Sequence, residues 1–482
     1  MAIVGGGIAG LAAAFALQES GRQVGPAPVC TLIEASPAWG GKIITHRVGD
    51  CVIEAGPDSF LSQKPWALEL CTRLGISDRL INTHEFHKKT FVYSRGRLRE
   101  LPEGLVVIAP KKLGPFMRSG LLSWPGMVRM GLDLVLPRKR DGGDESLAGF
   151  FTRRLGREAF ERFIEPLMAG IYAGDAEQIS LRATFPRFLD LEQEHGSLIR
   201  GMLASRPAAA PSGGPEGVQV GATARTMFVT LRGGLGDLVD TLVERLRQGG
   251  THLMAGVSVS ALRVRSSRPG RWTYDLLLEG GSAVSADAVV LATPAFVTAE
   301  LVRPLSPSAA GLLESIPYAS TVTISLIYEA DQVGSSVCGF GFVVPRKEAS
   351  DLLAVTYTSL KWPHRAPPHQ TVIRCYLGGI GREAVLSLSD EELVQRARNE
   401  LRRITGLAAE PAYAEVNRWD RAMPQYTLGH LDRLETLQRS LDNYRGLSLA
   451  GAAYRGIGIP DCIRDGSEAA TSVLRYLTGA RP

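Results

Sequence analysis

Six residues near the start of the chain, Gly5-Gly6-Gly7-Ile8-Ala9-Gly10, restrict its fold more than any other feature. They follow a short apolar run, Met1 to Val4, and precede an apolar, helix-forming stretch from Leu11 to Leu17. A second strand pattern, Cys30 to Ile33, ends on Glu34. Strand, glycine turn, helix and strand make the opening of a βαβ unit. In such a unit the first glycine permits the tight turn, the second lets backbone approach a pyrophosphate, and the third lets helix pack on strand. The helix N-terminus faces the negative charge, and an acid ending the second strand accepts from a ribose hydroxyl. Gly5, Gly6, Gly7, Ile8, Ala9, Gly10 and Glu34 therefore read as a dinucleotide site. The first strand has at most four residues, which is short for this task and is expected to weaken cofactor retention.

The rest of the chain sets limits. At 482 residues it needs two or three structural regions. Lys+Arg 54 against Asp+Glu 49 leaves +5, with no long basic run, so a nucleic-acid partner is not expected. Six scattered cysteines (Cys30, Cys51, Cys71, Cys338, Cys375, Cys462) lack any CxxC spacing, which argues against a disulfide framework or zinc site and suits a reducing cytosol. No apolar run reaches eighteen residues, so no transmembrane helix is expected. The eight histidines show no HExxH or other metal spacing.

Read for organisation, the chain is α/β, or α+β overall, with an expected Rossmann-like domain interleaved with a mixed-sheet domain and a helical domain. Residues 1–85, 225–296 and 421–482 make the nucleotide-binding segments. Residues 86–103 form a hairpin turning at Arg95-Gly96, and 104–204 a helical region in which Asp144 caps a helix ending at Gly156. The Pro, Gly and Ala of 205–224 mark a flexible linker, and 297–420 form the mixed-sheet domain. The last helix is expected from Asp465 to Leu477.

Three further glycine segments separate FAD from NAD. They are Trp39-Gly40-Gly41-Lys42, then Glu54-Ala55-Gly56-Pro57-Asp58-Ser59-Phe60, and, near the C-terminus, Gly451 to Asp461. A nicotinamide enzyme has no need to return to its cofactor in its last sixty residues, whereas an extended FAD with a ring to shield does. Beyond the glycines, IEPLMAGIYAGD, TFPRF, GFGFVVP, MPQYTLGH and GIPDCI occur in order. With these the chain resembles the porphyrinogen oxidases of haem biosynthesis, within the monoamine-oxidase-like flavoproteins, over nearly its whole length. The Leu360-Lys361-Trp362-Pro363-His364 and GIPDCI segments look closest to the Gram-positive-type branch.

That resemblance implies oxidation of coproporphyrinogen III, or of protoporphyrinogen IX, with O2 as acceptor, in a cytoplasmic monomer or homodimer. It implies non-covalent FAD held by Gly5 to Gly10, Glu34, Gly41, Lys42, Gly56, Pro57, Asp58, Ser59, Val259, Ala452, Ile457, Gly458 and Ile459. Cys462 is thus not expected to attach the flavin. No side chain is implied as catalytic: the Gly170 carbonyl accepts from pyrrole N–H groups, Phe340 and Val343 sandwich the macrocycle, and Tyr376 lines the pocket. Related branches carry an arginine where this chain has Thr90, with Lys88 and Lys89 as neighbouring cations. Arg95, Lys361, Arg365 and Arg374 are further candidates for the substrate carboxylates, against the plain reading of surface or structural cations. Leu113 to Leu136 reads as a packed helical pair, with peripheral membrane contact as the alternative. A flavin amine oxidase or desaturase of another specificity is the rival enzyme class.

Overall fold

The computed structural model describes residues 1–24, 29–84, 89–101, 105–106, 109–110, 119–139, 142–204, 225–268 and 271–479. Lys88 and the segment 205–224 lie outside them, as do Leu113, Phe116 and the rest of 111–118.

The apolar runs that flank the glycine turn pair as read. Ala2–Val4 lies between Thr31–Glu34 and Val289–Leu291, parallel to both. His252–Ala255 and Leu447–Leu449 complete a five-stranded parallel sheet. Its first strand has three residues, the same length as Val289–Leu291 and Leu447–Leu449, and Ala2, Ile3 and Val4 are all buried. Five strands from three distant stretches of sequence thus meet around one glycine turn, as expected for a doubly wound sheet whose carboxyl edge binds the ligand. Helices Ile8–Val24, Gly236–Gln248 and Ile459–Thr478 supply its apolar cover on one face.

A seven-stranded mixed sheet stands against it, in the order Tyr413–Pro424, Tyr318–Glu329, Gln370–Gly378, Leu352–Tyr357, Gly341–Val343, Thr90–Ser94, Arg97–Glu100. The last two strands are the hairpin, whose Arg95 and Gly96 both take positive φ, 54° and 74°, as a two-residue turn requires. Strand Tyr413–Pro424 runs through residue 420, and helix Ala295–Val302 through 296, so neither expected boundary falls in a loop. Alternation gives this sheet two unlike faces. Phe342, Val355, Cys375 and Ile324 lie side by side and are buried with Leu393, Ala397 and Leu401 of helix Asp390–Thr405. The neighbouring row, Val343, Ala354, Tyr376 and Thr323, faces the other way, with Val343 against the helical region, Tyr376 beside Ala173 and Thr323 bonded to Ala55 O.

The helical region packs around Phe150, Phe151 and Phe163. Inside it Arg154 is fully buried and donates to Asp133 Oδ1 at 2.6 Å, while Ser197 Oγ and the Ile199 N–H bond Asp133 Oδ2. Two expectations are corrected here. Ser146, not Asp144, caps helix Leu147–Leu155, accepting from Gly149 N at 3.0 Å. Asp144 accepts instead from Ser180 Oγ and from the Gly429 N–H, so it ties the helical region to the C-terminal segment. The last helix starts at Ile459, six residues before the expected Asp465, because Pro460 sits in its first turn, where a missing N–H costs nothing.

Candidate functional site

The turn at the carboxyl edge of the parallel sheet is built by exclusion. Gly5 has φ +107°, and a Cβ there would lie 2.6 Å from Ala292 O. A Cβ at Gly10 would lie 1.9 Å from Gly5 O, so the turn and the helix behind it tolerate no side chain. Gly7 differs: among the described residues nothing lies within 4 Å of where its Cβ would be. The space above Gly7 is open, as close approach of a pyrophosphate requires. Glu34 Oε2 accepts from the Gly6 N–H at 2.5 Å and Oε1 from the Ser36 N–H at 2.8 Å. Its carboxylate therefore stiffens the turn besides standing at the ribose position. Val259 lies two residues beyond Val257, whose N–H bonds Glu34 O.

The other glycine segments converge on this turn. Gly40 N donates to Gly6 O at 2.9 Å, and Gly41 stands against Gly7, with 3.2 Å from its Cβ position to Gly7 Cα. Lys42 is open to solvent, yet surrounding protein desolvates its ammonium and lowers its pKa, with Cys462 opposing. Gly56 follows, its Cβ position 1.8 Å from Lys42 O. From the C-terminal end, Gly466 lies with its Cβ position 2.1 Å from Ala9 O, which lets helix Ile459–Thr478 reach the first helix. That contact brings Ala452, Ile457, Gly458 and Ile459 to the same edge. They present the N-terminus of a 20-residue helix whose cap, Gly458, makes no side-chain bond.

The 54–59 turn is gripped by residues three hundred positions away. Arg374 donates to Ala55 O at 2.6 Å and Gly56 O at 2.5 Å. Thr323 Oγ1 and Trp419 Nε1 also donate to Ala55 O. Glu54 is buried against Arg365, 2.9 Å away, and accepts from Thr45 Oγ1 and the Leu235 N–H. Burial raises Asp58, but Lys361 at 2.9 Å, the Ser59 hydroxyl and Arg374 outweigh it and hold the carboxyl well below the usual range. Arg365 and Arg374 are thus committed to the cofactor-side turn, which corrects their reading as carboxylate receivers for a substrate; Lys361 is paired to Asp58.

Above the Val343 row stands helix Glu165–Tyr172. Gly170 is exposed at its last turn, its Cβ position 3.8 Å from Val343 Cγ1. The carbonyls around it are taken: Ala169 O by Ala173 N, Tyr172 O by Gln425 Nε2, Ala173 O by Ile380 N, Gly174 O by Arg346. Among the described residues, Gly170 O and Ile171 O receive no donor. Phe340 stands one residue before the strand, half-buried, its backbone bonded to Lys89 O and Tyr357 N. Lys89 and Arg95 lie at the far hairpin, paired to Glu100 and Glu158.

Residues that sequence reasoning gave no role brace the site. Tyr426 OH donates to Ala452 O at 2.7 Å and accepts from Gly456 N at 2.7 Å, fixing the C-terminal glycine loop. His430 stacks on Tyr426, centroids 4.1 Å apart, and its Nε2 bonds Tyr454 O. Burial pushes the His430 pKa down to about 4 and that of His364 likewise to about 4. Both are neutral when folded, whereas the unfolded imidazole protonates below about 6.5. The stability they contribute is therefore present above about pH 6.5 and is lost as the pH falls towards about 4. For fully buried His430 that is about 3 kcal/mol at the lower end. Unfolding free energy should fall between these pH values, and less steeply in His430→Gln; parallel curves would refute the assignment.

The geometry is that of a dinucleotide groove whose open end meets a second sheet. The family description "Flavin containing amine oxidoreductase" matches residues 8–474. The chain belongs to this family. It is 37% identical to a coproporphyrinogen III oxidase of Bacillus subtilis, covering 98% of both chains. It is 32% identical to protoporphyrinogen oxidase 1 of Arabidopsis thaliana chloroplasts, covering 99% of this chain and 88% of that one. A crystal structure from an Exiguobacterium species, described as a candidate protoporphyrinogen oxidase, superposes with a TM-score of 0.84 at 32% identity, covering 99% and 98%. The family's flavin, as FAD, fits the residues present. The open space over Gly7, the desolvated cation of Lys42 and the N-termini of helices Ile8–Val24 and Ile459–Thr478 are complementary to a dinucleotide bearing phosphates.

Proposed function

We propose that this flavoenzyme oxidises a porphyrinogen to the porphyrin, coproporphyrinogen III in preference to protoporphyrinogen IX, with O2 as the final acceptor. The observation that carries the reading is the pair of free carbonyls, Gly170 O and Ile171 O, at the end of helix Glu165–Tyr172 opposite the Val343 row. A porphyrinogen directs several pyrrole N–H donors to one side, and such donors suit carbonyl acceptors with no partner of their own. When bound, FAD accepts a hydride and passes two electrons to O2, so removal of six electrons takes three rounds and yields three H2O2. Loss of a hydride from a meso carbon leaves positive charge shared by the adjoining pyrroles. In this reading the negative end of helix Glu165–Tyr172 faces the developing charge, and its two carbonyls hold the ring meanwhile. Val343 and Ala354 supply an apolar wall, and the ring nitrogens stabilise the cation themselves, so no strong general base is required.

The identity to coproporphyrinogen III oxidases favours that substrate over protoporphyrinogen IX. Initial rates of porphyrin fluorescence from the two, supplied anaerobically prepared to the holoenzyme, test the ranking. Faster turnover of protoporphyrinogen IX by about an order of magnitude would reverse it.

Among the described residues no helix is long and apolar enough to cross a membrane. Our reading places the enzyme in the cytoplasm with a peripheral membrane contact at helix Trp124–Gly131 and the turn after it. Trp124 is 70% exposed, Val128 64% and Val135 73%. Sedimentation with anionic vesicles should be weakened in Trp124→Ala; equal sedimentation of both proteins removes this contact.

A further inference from the structure

A substrate with several propionates needs cations, and those first considered are engaged elsewhere. Lys89 is paired to Glu100, Arg95 to Glu158, Lys361 to Asp58 and Arg365 to Glu54, while Arg374 donates to backbone carbonyls. Arg421 differs. It is exposed, and among the described residues no carboxylate or other acceptor bonds its guanidinium, which lies 3.7 Å from the ring centroid of Phe296. Phe296 is itself held edge-on by Tyr318, centroids 5.2 Å apart. An arginine laid flat on an aromatic ring keeps its forked N–H edge free for a planar anion.

The backbone there is held in an unfavourable state. Arg421 has φ +43°, the left-handed region that a side chain disfavours. It is kept so by Ser320, which is buried: Ser320 Oγ accepts from Arg421 N at 2.9 Å and donates to Asp420 Oδ1 at 3.0 Å. The strand register shifts at this point, between Ala319 and Thr321. Strain of this kind, maintained by a buried partner, is found where a side chain must be aimed at a ligand.

The position is the seam between the two halves of the site. Two residues before it, Trp419 bonds Ala55 O and stands 3.6 Å from the Cβ position of Gly56. Two residues after it, Met423 packs with Tyr376 and with Ala173, the residue that ends helix Glu165–Tyr172. Phe296 lies in the first turn of the helix that follows strand Val289–Leu291.

We propose that Arg421 is the specificity-determining cation that receives a propionate carboxylate of the substrate. The inference rests on the porphyrinogen reading above. Arg421→Gly removes the charge while suiting the left-handed backbone, so the fold is kept; Arg421→Lys retains the charge without the fork. Kinetics are compared for coproporphyrinogen III and its tetramethyl ester, with flavin content measured in each protein. In Arg421→Gly the KM for the acid should rise about tenfold, with kcat, flavin content and the KM for the ester unchanged. Arg421→Lys should recover part of the loss. Added salt should raise the KM of the unmodified enzyme for the acid but not that of Arg421→Gly. An unchanged KM for the acid, an equal change for acid and ester, or loss of flavin from Arg421→Gly overturns the proposal. Should the unmodified holoenzyme turn over neither compound, the porphyrinogen reading itself fails. Binding of coproporphyrin III, followed by quenching of its fluorescence, then decides Arg421 separately: about tenfold weaker binding in Arg421→Gly supports it, and equal binding overturns it.

Discussion

Replacing Gly466 by alanine is expected to strip the protein of most of its flavin. Within a helix alanine is preferred to glycine by about 1 kcal/mol, so propensity alone would make the substitution stabilising. Here the new Cβ would sit 2.1 Å from Ala9 O and 2.9 Å from Ala9 C, both backbone atoms of the first helix that cannot swing aside. The two helices must part, and overpacking of this kind costs about 1–3 kcal/mol, more when backbone has to move. Parting them displaces Ile457 to Ile459 from the Gly7 turn, so the damage falls on the groove. Flavin affinity should drop at least about tenfold, read by reconstitution titration. Ser467→Ala, one residue further on, should leave affinity unchanged. Full flavin occupancy in Gly466→Ala would show that the two helices do not set the groove.

The second large effect lies in the Glu54–Arg365 pair. Both side chains are buried, and Arg365→Met leaves Glu54 with only Thr45 and the Leu235 N–H. An uncompensated buried charge costs about 3–5 kcal/mol. Burial already raises the Glu54 carboxyl while Arg365 pulls against it, so loss of the arginine favours the protonated acid. The pair itself is not an efficient source of stability, since Arg365 Nε and Nη1 have no partners among the described residues. The double variant Glu54→Gln/Arg365→Met should therefore recover half or more of the loss. Denaturant unfolding of the single and double variants reads this directly; a double variant as weak as the single one would mean that packing, not charge, dominates.

These two positions also show where sequence reasoning stopped. The Gly5 to Gly10 turn was legible because strand, glycines, helix and Glu34 are contiguous and each obeys a local steric rule. The hairpin at Arg95-Gly96 was legible for the same reason. The grip on Ala55 and Gly56 was not, because Thr323, Arg374 and Trp419 come from different strands of a sheet whose register no local pattern sets. Arg365 and Arg374 read as cations for a substrate because charge is visible in a sequence and burial against a distant partner is not. Gly466 did leave a signal: a glycine inside a predicted helix lowers helix stability and asks for a packing reason. Asp144 misled in the opposite way, since Ser146 two residues later is an equally good cap and only the fold gives Asp144 its bond to Gly429.

The central claim is that this flavoprotein removes six electrons from a porphyrinogen and delivers them to O2. Its most direct test is to supply coproporphyrinogen III to the flavin-saturated enzyme in air and follow porphyrin fluorescence and H2O2 together. Enzyme-dependent coproporphyrin, with three H2O2 for each porphyrin formed, is the expected result. Porphyrin no faster than in the enzyme-free control, with the flavin fully bound, would contradict it.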